Sequence, residues 1–225
     1  MTRRSFSKRI GYDALRLLCR LVGVLFFRVR CKRRHLQPSS GGGLICANHQ
    51  SFFDPVLVGI AFQRRLNYLA RQSLFRHTAF RWLIDFLDAI PLDREGSGLS
   101  GLKESLKRLR RGELVVIFPE GTRSTDGELR PLKPGFIALA RRGKAPLIPV
   151  AIDGAYQAWP RTARWPRRSV IHVVTGEAMS PELVAELSDE ELLDELEVRI
   201  AEAFEIARAQ KAPDKRDNLV PIFLH

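Results

Sequence analysis

Leu114-Val115-Val116-Ile117-Phe118, running straight into Pro119-Glu120-Gly121-Thr122-Arg123-Ser124, is the stretch that decides the fold. An unbroken apolar run of β-branched and aromatic residues reads as a strand buried on both faces, because a half-buried strand would alternate with polar residues. Before it, Leu99–Arg111 repeats with helical period and stops at Gly112. After it comes a polar turn with a glycine. Helix, buried strand, polar turn: this is the unit from which layered α/β domains are assembled.

The same unit recurs in both directions. Leu44–Ala47 is a short apolar strand that enters Asn48-His49-Gln50-Ser51-Phe52-Phe53-Asp54, and Asp54-Pro55 opens a helix, with Asp54 as its expected cap. Leu66–Ala70 and Ala89–Leu92 read as strands on either side of an amphipathic helix, Leu74–Leu87. Beyond the central strand, Phe136–Arg142 is helical up to Gly143, and Leu147–Ile152 and Val170–Val174 are further strands. Ser188-Asp189-Glu190-Glu191 is a capping box that opens a helix to about Ala209. The expected architecture is α/β: a single layered domain with a central mixed sheet flanked by helices, plus an N-terminal amphipathic helical segment. Residues 1–34 form that segment, 35–210 the domain and 211–225 a tail.

A chain of 225 residues is long enough to close a core without disulfides. Cys19, Cys31 and Cys46 are too few and too scattered for a disulfide framework or a zinc site, which points to a reducing compartment. Net charge is +12, unevenly placed: residues 1–34 carry eleven Lys/Arg against one acid, and residues 169–225 carry five against thirteen acids. Such a field selects anionic partners. No nucleic-acid motif accompanies it, and aromatics are only 8% with no stacking ladder, so nucleic acid is not an expected partner. In residues 10–29, Arg9, Asp13, Arg16 and Arg20 form one polar stripe, and Leu17, Leu18, Leu21, Val24 and Leu25 fall mainly away from it. Arg16 and Arg20 interrupt any run of the roughly twenty apolar residues that a membrane span needs, and no cleavage site follows. The expectation is an interfacial helix with its basic residues at anionic headgroups. A surface helix packed on the domain is the competing reading.

Two segments carry chemistry. A histidine at the carboxyl end of a strand sits where open α/β sheets bind ligands. His49 and Asp54 can meet only if His49 lies in the turn before the helix, and an Asp on one ring nitrogen leaves the other free as a base. In the second segment Gly121 permits a tight turn, Thr122 and Ser124 supply hydroxyls, Arg123 offers a fork suited to phosphate, and Glu120 is placed to orient that fork. Cys46 reads as core, and His35, His77, His172 and His225 have no ligand partners near them in sequence, so no metal site is expected.

Together these segments resemble the glycerolipid acyltransferase family, which includes 1-acylglycerol-3-phosphate acyltransferases. Its NHxxxxD motif matches Asn48-His49…Asp54, and its FPEGTRS motif matches Phe118–Ser124. An apolar strand ending in Asp-Arg matches Ile90-Pro91-Leu92-Asp93-Arg94, and a proline-centred motif matches Leu147-Ile148-Pro149-Val150. The resemblance implies transfer of an acyl group from acyl-CoA or acyl-ACP to a lysophospholipid hydroxyl, most simply 1-acylglycerol-3-phosphate. His49 is then the general base and Asp54 orients it. Arg94, Glu120, Gly121, Thr122, Arg123 and Ser124 bind the acceptor phosphate, and Asn48, Arg71 and Pro149 are further candidate substrate contacts. Where family members often carry a lysine, this chain has Arg71-Gln72-Ser73. No cofactor beyond the thioester co-substrate is implied, and the expected location is peripheral, on the cytoplasmic face of a membrane. Two rivals stay open: another lysolipid acceptor, and a non-catalytic lipid-binding module. Oligomeric state is open.

Overall fold

Strand β2 (Gly43–Ala47) is buried along its whole length, and the rest of the molecule is arranged around it. The structure, a computed structural model, describes residues 6–71, 89–92 and 99–211. Among the described residues seven strands form one sheet in the order β1-β7-β6-β2-β5-β3-β4. They are β1 (Arg30–Lys32), β2, β3 (Leu66–Arg71), β4 (Ile90–Leu92), β5 (Leu114–Ile117), β6 (Leu147–Asp153) and β7 (His172–Thr175). Leu44 of β2 pairs in parallel with Val115 of β5 and with Leu147 of β6. β5 continues in parallel to β3, and β3 to β4. β7 runs antiparallel to β6, with β1 parallel to β7, so the sheet is mixed. Five adjacent strands (β6, β2, β5, β3, β4) therefore end on the same edge.

The alternation of side chains along β2 divides the core. Ile45 and Ala47 pack with Leu57, Val58 and Ile60 of α2 (Asp54–Ala61) on one face. Leu44 and Cys46 pack on the other against Leu109 of α3 (Leu99–Arg110), Leu139 and Ala140 of α4 (Ile137–Gly143), and Leu192, Leu196 and Ile200 of α7 (Asp189–Arg208). Burial on both faces is what the continuous apolar strands require. Two short helices, α5 (Ala155–Ala158) and α6 (Pro181–Glu186), complete the order. The capping box of α7 forms as expected: the Glu191 N–H donates to Ser188 Oγ at 3.2 Å and the Ser188 N–H to Glu191 Oε2 at 2.8 Å.

Helix α1 (Phe6–Phe27) departs from the expectation in its orientation. The arginine stripe faces the protein. Arg20 Nε donates to Ile60 O at 3.0 Å and Arg16 Nη1 to Gln63 O at 2.5 Å, while Arg34 Nε donates to Ala61 O at 2.9 Å. These carbonyls belong to the end of α2 and the residues just past it, where a helix has no partners of its own and a negative dipole end. Three arginines satisfy them, and the leucine stripe is turned outward: Leu17, Leu18, Leu21, Val24, Leu25 and Phe26 are all exposed, Leu25 at 73%. So Arg16 and Arg20 are not available to lipid headgroups as expected, because α2 holds them. Nor does the structure break at residue 34, since Arg30–Lys32 form an edge strand of the sheet. That strand was hidden inside a basic run. The helix expected over Leu74–Leu87, Arg94, and the tail beyond residue 211 lie outside the described residues.

Candidate active site

The turn after β2 is built by Asp54. The cap of α2 is Phe53 and not the expected Asp54, which is the first helical residue, with its buried carboxylate turned back over the preceding turn. Asp54 Oδ2 accepts the backbone N–H groups of Gln50 and Ser51, each at 2.6 Å, and lies 2.7 Å from His49 Nδ1. An oxygen that already accepts two N–H donors is an acceptor, so Nδ1 carries the proton and Nε2 the lone pair. Among the described residues Nε2 has no hydrogen-bond partner. The neighbours hold this turn rigid. Asn48 is wholly buried, its Nδ2 donating to Ile152 O at 2.9 Å and its Oδ1 accepting from Ile152 N at 2.7 Å. Gln50 Nε2 donates to Gly127 O at 2.5 Å, and Ser51 Oγ to Trp159 O at 2.8 Å.

The turn after β5 closes on the first. The Ser124 N–H donates to His49 O at 2.7 Å, and the Phe118 ring stacks on the His49 ring with centroids 4.2 Å apart. Gly121 has φ +73°, a left-handed conformation that a side chain would strain, and a Cβ there would come 3.1 Å from Lys133 Cδ. Glu120 is only 2% exposed, and its Oε1 accepts the His49 N–H at 3.3 Å. Burial pushes its carboxyl up to about 8, the His49 backbone bond pulling partly the other way. A buried group of that kind supports the catalytic turn from behind, which differs from the expected role beside a phosphate. The Ser124 hydroxyl donates to Asp126 Oδ1 at 2.7 Å and accepts from Gly127 N at 3.0 Å, so it too is engaged within its own loop. The Arg123 guanidinium lies over the Phe52 ring, 3.6 Å from its centroid. Thr122 is half-buried beside it.

The structure thus brings Asn48, His49, Asp54 and Glu120–Ser124 together at one sheet edge. Arg71 ends β3 at that same edge, whereas Pro149 sits inside β6 opposite Cys46, buried and away from it. Burial of Cys46 raises its thiol pKa well above the usual range, so it is a core residue and no nucleophile. Two contributors carried no sequence signal: Trp159, 5.1 Å from Phe52 and 5.0 Å from Phe53, and Lys133, whose stem lies along Gly121; Phe118 and Phe52 lay inside the two quoted segments, but their support of a ring and a guanidinium was not expected. Each reaches the site through the fold, and spacing along the chain does not foretell it. Among the described residues no cluster of His, Cys, Asp or Glu is arranged to hold a metal.

An α/β sheet edge with a histidine-aspartate pair on one turn and a glycine-arginine turn against it is the arrangement expected of an acyltransferase domain. The family model described as Acyltransferase matches residues 28–153, and the chain belongs to that family. Its relatives include the 1-acyl-sn-glycerol-3-phosphate acyltransferase of Bacillus subtilis (strain 168), 34% identical over 146 residues, 63% of this chain and 69% of the relative. The enzyme of the same name from Pseudomonas aeruginosa is 33% identical over 156 residues, 64% of this chain and 59% of the relative. The crystal structure of the 1-acyl-sn-glycerophosphate (LPA) acyltransferase from Thermotoga maritima has a similar fold, with TM-score 0.78 at 24% identity, covering 94% of this chain and 84% of that one.

Proposed function

We propose that this acyltransferase moves a fatty acyl group from an acyl-CoA or acyl-ACP thioester to the free hydroxyl of 1-acylglycerol-3-phosphate, giving phosphatidic acid. The observation that carries the reading is the 2.7 Å contact between His49 Nδ1 and Asp54 Oδ2, with Nε2 left as the basic nitrogen. Nε2 takes the proton of the acceptor hydroxyl as its oxygen attacks the thioester carbonyl. Asp54 holds the ring and stabilises the imidazolium that forms. Collapse of the tetrahedral intermediate expels the thiolate, which takes the proton back from His49, so no covalent acyl-enzyme is needed. Arg123 and, by the resemblance, Arg94 hold the acceptor phosphate, with Gly121 and Thr122 keeping the backbone close to it. The names of the two bacterial relatives support this acceptor.

The site belongs at a bilayer surface. No described helix is long and apolar enough to cross a membrane, while the outward leucine stripe of α1 offers an interfacial face. A peripheral position on the cytoplasmic face fits a soluble thioester meeting a membrane-borne acceptor.

The test is an acyl-transfer assay on detergent-dispersed lysolipids with both thioester carriers. The wild type should prefer 1-acylglycerol-3-phosphate over lysophosphatidylethanolamine, and His49→Ala should lose turnover by at least about 10³-fold with its melting temperature kept. Turnover near normal in folded His49→Ala would remove the mechanism, and a preference for the zwitterionic lysolipid would reassign the acceptor.

A further inference from the structure

The loop between α5 and β7 has no part in this chemistry, yet its composition calls for a partner. Residues 160–169 read Pro-Arg-Thr-Ala-Arg-Trp-Pro-Arg-Arg-Ser, and no acid occurs between Asp153 and Glu177. Arg161, Arg164, Arg167 and Arg168 are all exposed, and among the described residues none has an acidic partner. Trp165 is 71% exposed, with the Arg164 guanidinium 5.9 Å from its ring centroid. Four exposed cations around an exposed indole suit a surface that is anionic outside and apolar beneath.

The loop is held in shape by its backbone. Trp159 Nε1 donates to Ala163 O at 3.1 Å, the Ala163 N–H to Pro160 O at 3.1 Å, and the Arg167 N–H to Ala158 O at 2.8 Å. The inner tryptophan, Trp159, packs on Phe52 and Phe53 of the catalytic turn, and the outer one, Trp165, is exposed. At its far end the loop is tied to the end of α1 and to β1: the Ile171 N–H donates to Phe27 O at 3.3 Å, and the Arg30 N–H to Ile171 O at 2.9 Å. The last turn of α1 carries the exposed Val24, Leu25 and Phe26. Packing of Phe27 on Phe53, and of Phe53 and Phe52 on Trp159, links the apolar end of α1 through the catalytic turn to the base of the arginine-tryptophan loop.

We propose that residues 160–168 are a second lipid-contact element, which docks on an anionic bilayer with Trp165 at the interface and the four arginines at the headgroups. Tryptophan is enriched at that depth, and each basic side chain near an anionic leaflet strengthens attachment about fivefold. With α1 on the other side, the loop holds the catalytic turn between two points of attachment, which sets its orientation to the bilayer and not merely its distance. An acidic carrier protein would also meet four arginines. The exposed indole, and the packing that links this loop to the end of α1 with its exposed leucines, favour lipid.

The test uses the full chain. Arg161, Arg164, Arg167 and Arg168 are changed together to Gln, and Trp165→Phe is made separately. Binding is measured to phosphatidylcholine vesicles with and without phosphatidylglycerol. The glutamine variant should bind the phosphatidylglycerol vesicles about tenfold or more weakly, and pure phosphatidylcholine vesicles as the wild type does, since α1 is untouched. Brominated lipids should quench wild-type tryptophan fluorescence more than that of Trp165→Phe. Unchanged binding of the glutamine variant, or equal quenching in Trp165→Phe, overturns the proposal. So does a glutamine variant that binds vesicles normally and loses turnover only with acyl-ACP, which would make the loop a carrier site. Neither binding readout involves acyl transfer, so a failure here leaves the catalytic reading standing, and the reverse also holds.

Discussion

The turns after β2 and β5 are equally polar in sequence, but they differ in what they do with that polarity. In Asn48–Asp54 nearly every side chain is bonded inward: Asn48 to Ile152, Gln50 to Gly127, Ser51 to Trp159, Asp54 to three donors. What is left to offer is one imidazole nitrogen. In Phe118–Ser124, Glu120 and Ser124 are turned inward, and Arg123 rests on an exposed aromatic ring. One turn is a frame around a base, and the other presents a cation. Changes in the first should therefore strike kcat, and changes in the second should strike the acceptor's KM.

The largest effect is expected from Asp54→Asn. The amide oxygen can still accept the Gln50 and Ser51 N–H groups, but the negative charge that stabilises the His49 imidazolium is gone, and a buried NH₂ group must find a place. Loss of the carboxylate in such pairs lowers kcat by about 10⁴. Steady-state kinetics should show kcat down by about 10³ or more, with the acceptor KM little changed. A change confined to KM would place Asp54 with binding and erase the contrast between the turns.

Next in size is Arg123→Ala. Hydrogen bonds to charged groups are worth about 1.5–3 kcal/mol, which is about ten- to a hundredfold in the acceptor KM. The thioester KM should stay put; if it alone rises, Arg123 serves the donor. Phe52→Leu sharpens the same point. It removes the ring beneath the guanidinium, a contact worth about 0.5–1 kcal/mol, so the acceptor KM should rise a few-fold. Added to Arg123→Ala it should change nothing further, because the ring acts through that guanidinium. Independent, additive effects would mean that Phe52 touches the substrate itself.

How much of this was legible differs between elements for physical reasons. Buried strands were legible because continuous apolar runs such as Leu114–Phe118 have one sensible fate, and the capping box at Ser188 is a local motif that needs no tertiary help. The pairing of His49 with Asp54 was legible as a condition on the turn, which the structure meets. The orientation of α1 was not. α7 and α1 are both long and amphipathic, yet α7 buries Leu192, Leu196 and Ile200, whereas α1 turns a half-buried arginine face to the protein and exposes leucines. Periodicity identifies two faces and does not say which one the protein takes. For α1 the choice is made by the carbonyls at the end of α2, which lie forty residues or more along the chain from Arg16 and Arg20. The residues Phe52, Phe118 and Glu120 were in view, but the roles they take escaped for the same reason, since these depend on contacts between two separate strand ends.

The smallest effect expected, and one confined to stability, belongs to Glu120. It lies behind the first turn, almost fully buried, with its carboxyl pushed up to about 8. In the unfolded chain an ordinary glutamate ionises near 4.5. Below that value both states carry the proton, and the group's contribution is fully present. Between about 4.5 and 8 the folded protein keeps a proton that the unfolded chain has released, so this contribution falls as pH rises, and it is lost once pH has passed the folded value. Glu120→Gln keeps the shape of the neutral acid and an oxygen for the His49 N–H, but cannot ionise. Melting temperatures should thus be close for the two proteins near pH 5, and the variant should gain on the wild type as pH approaches 8, with kcat changed only slightly. If the difference between the two proteins instead stays flat over that range, Glu120 is an ionised carboxylate in the folded protein. It would then face a cation, and its place would be with the binding turn, not with the frame.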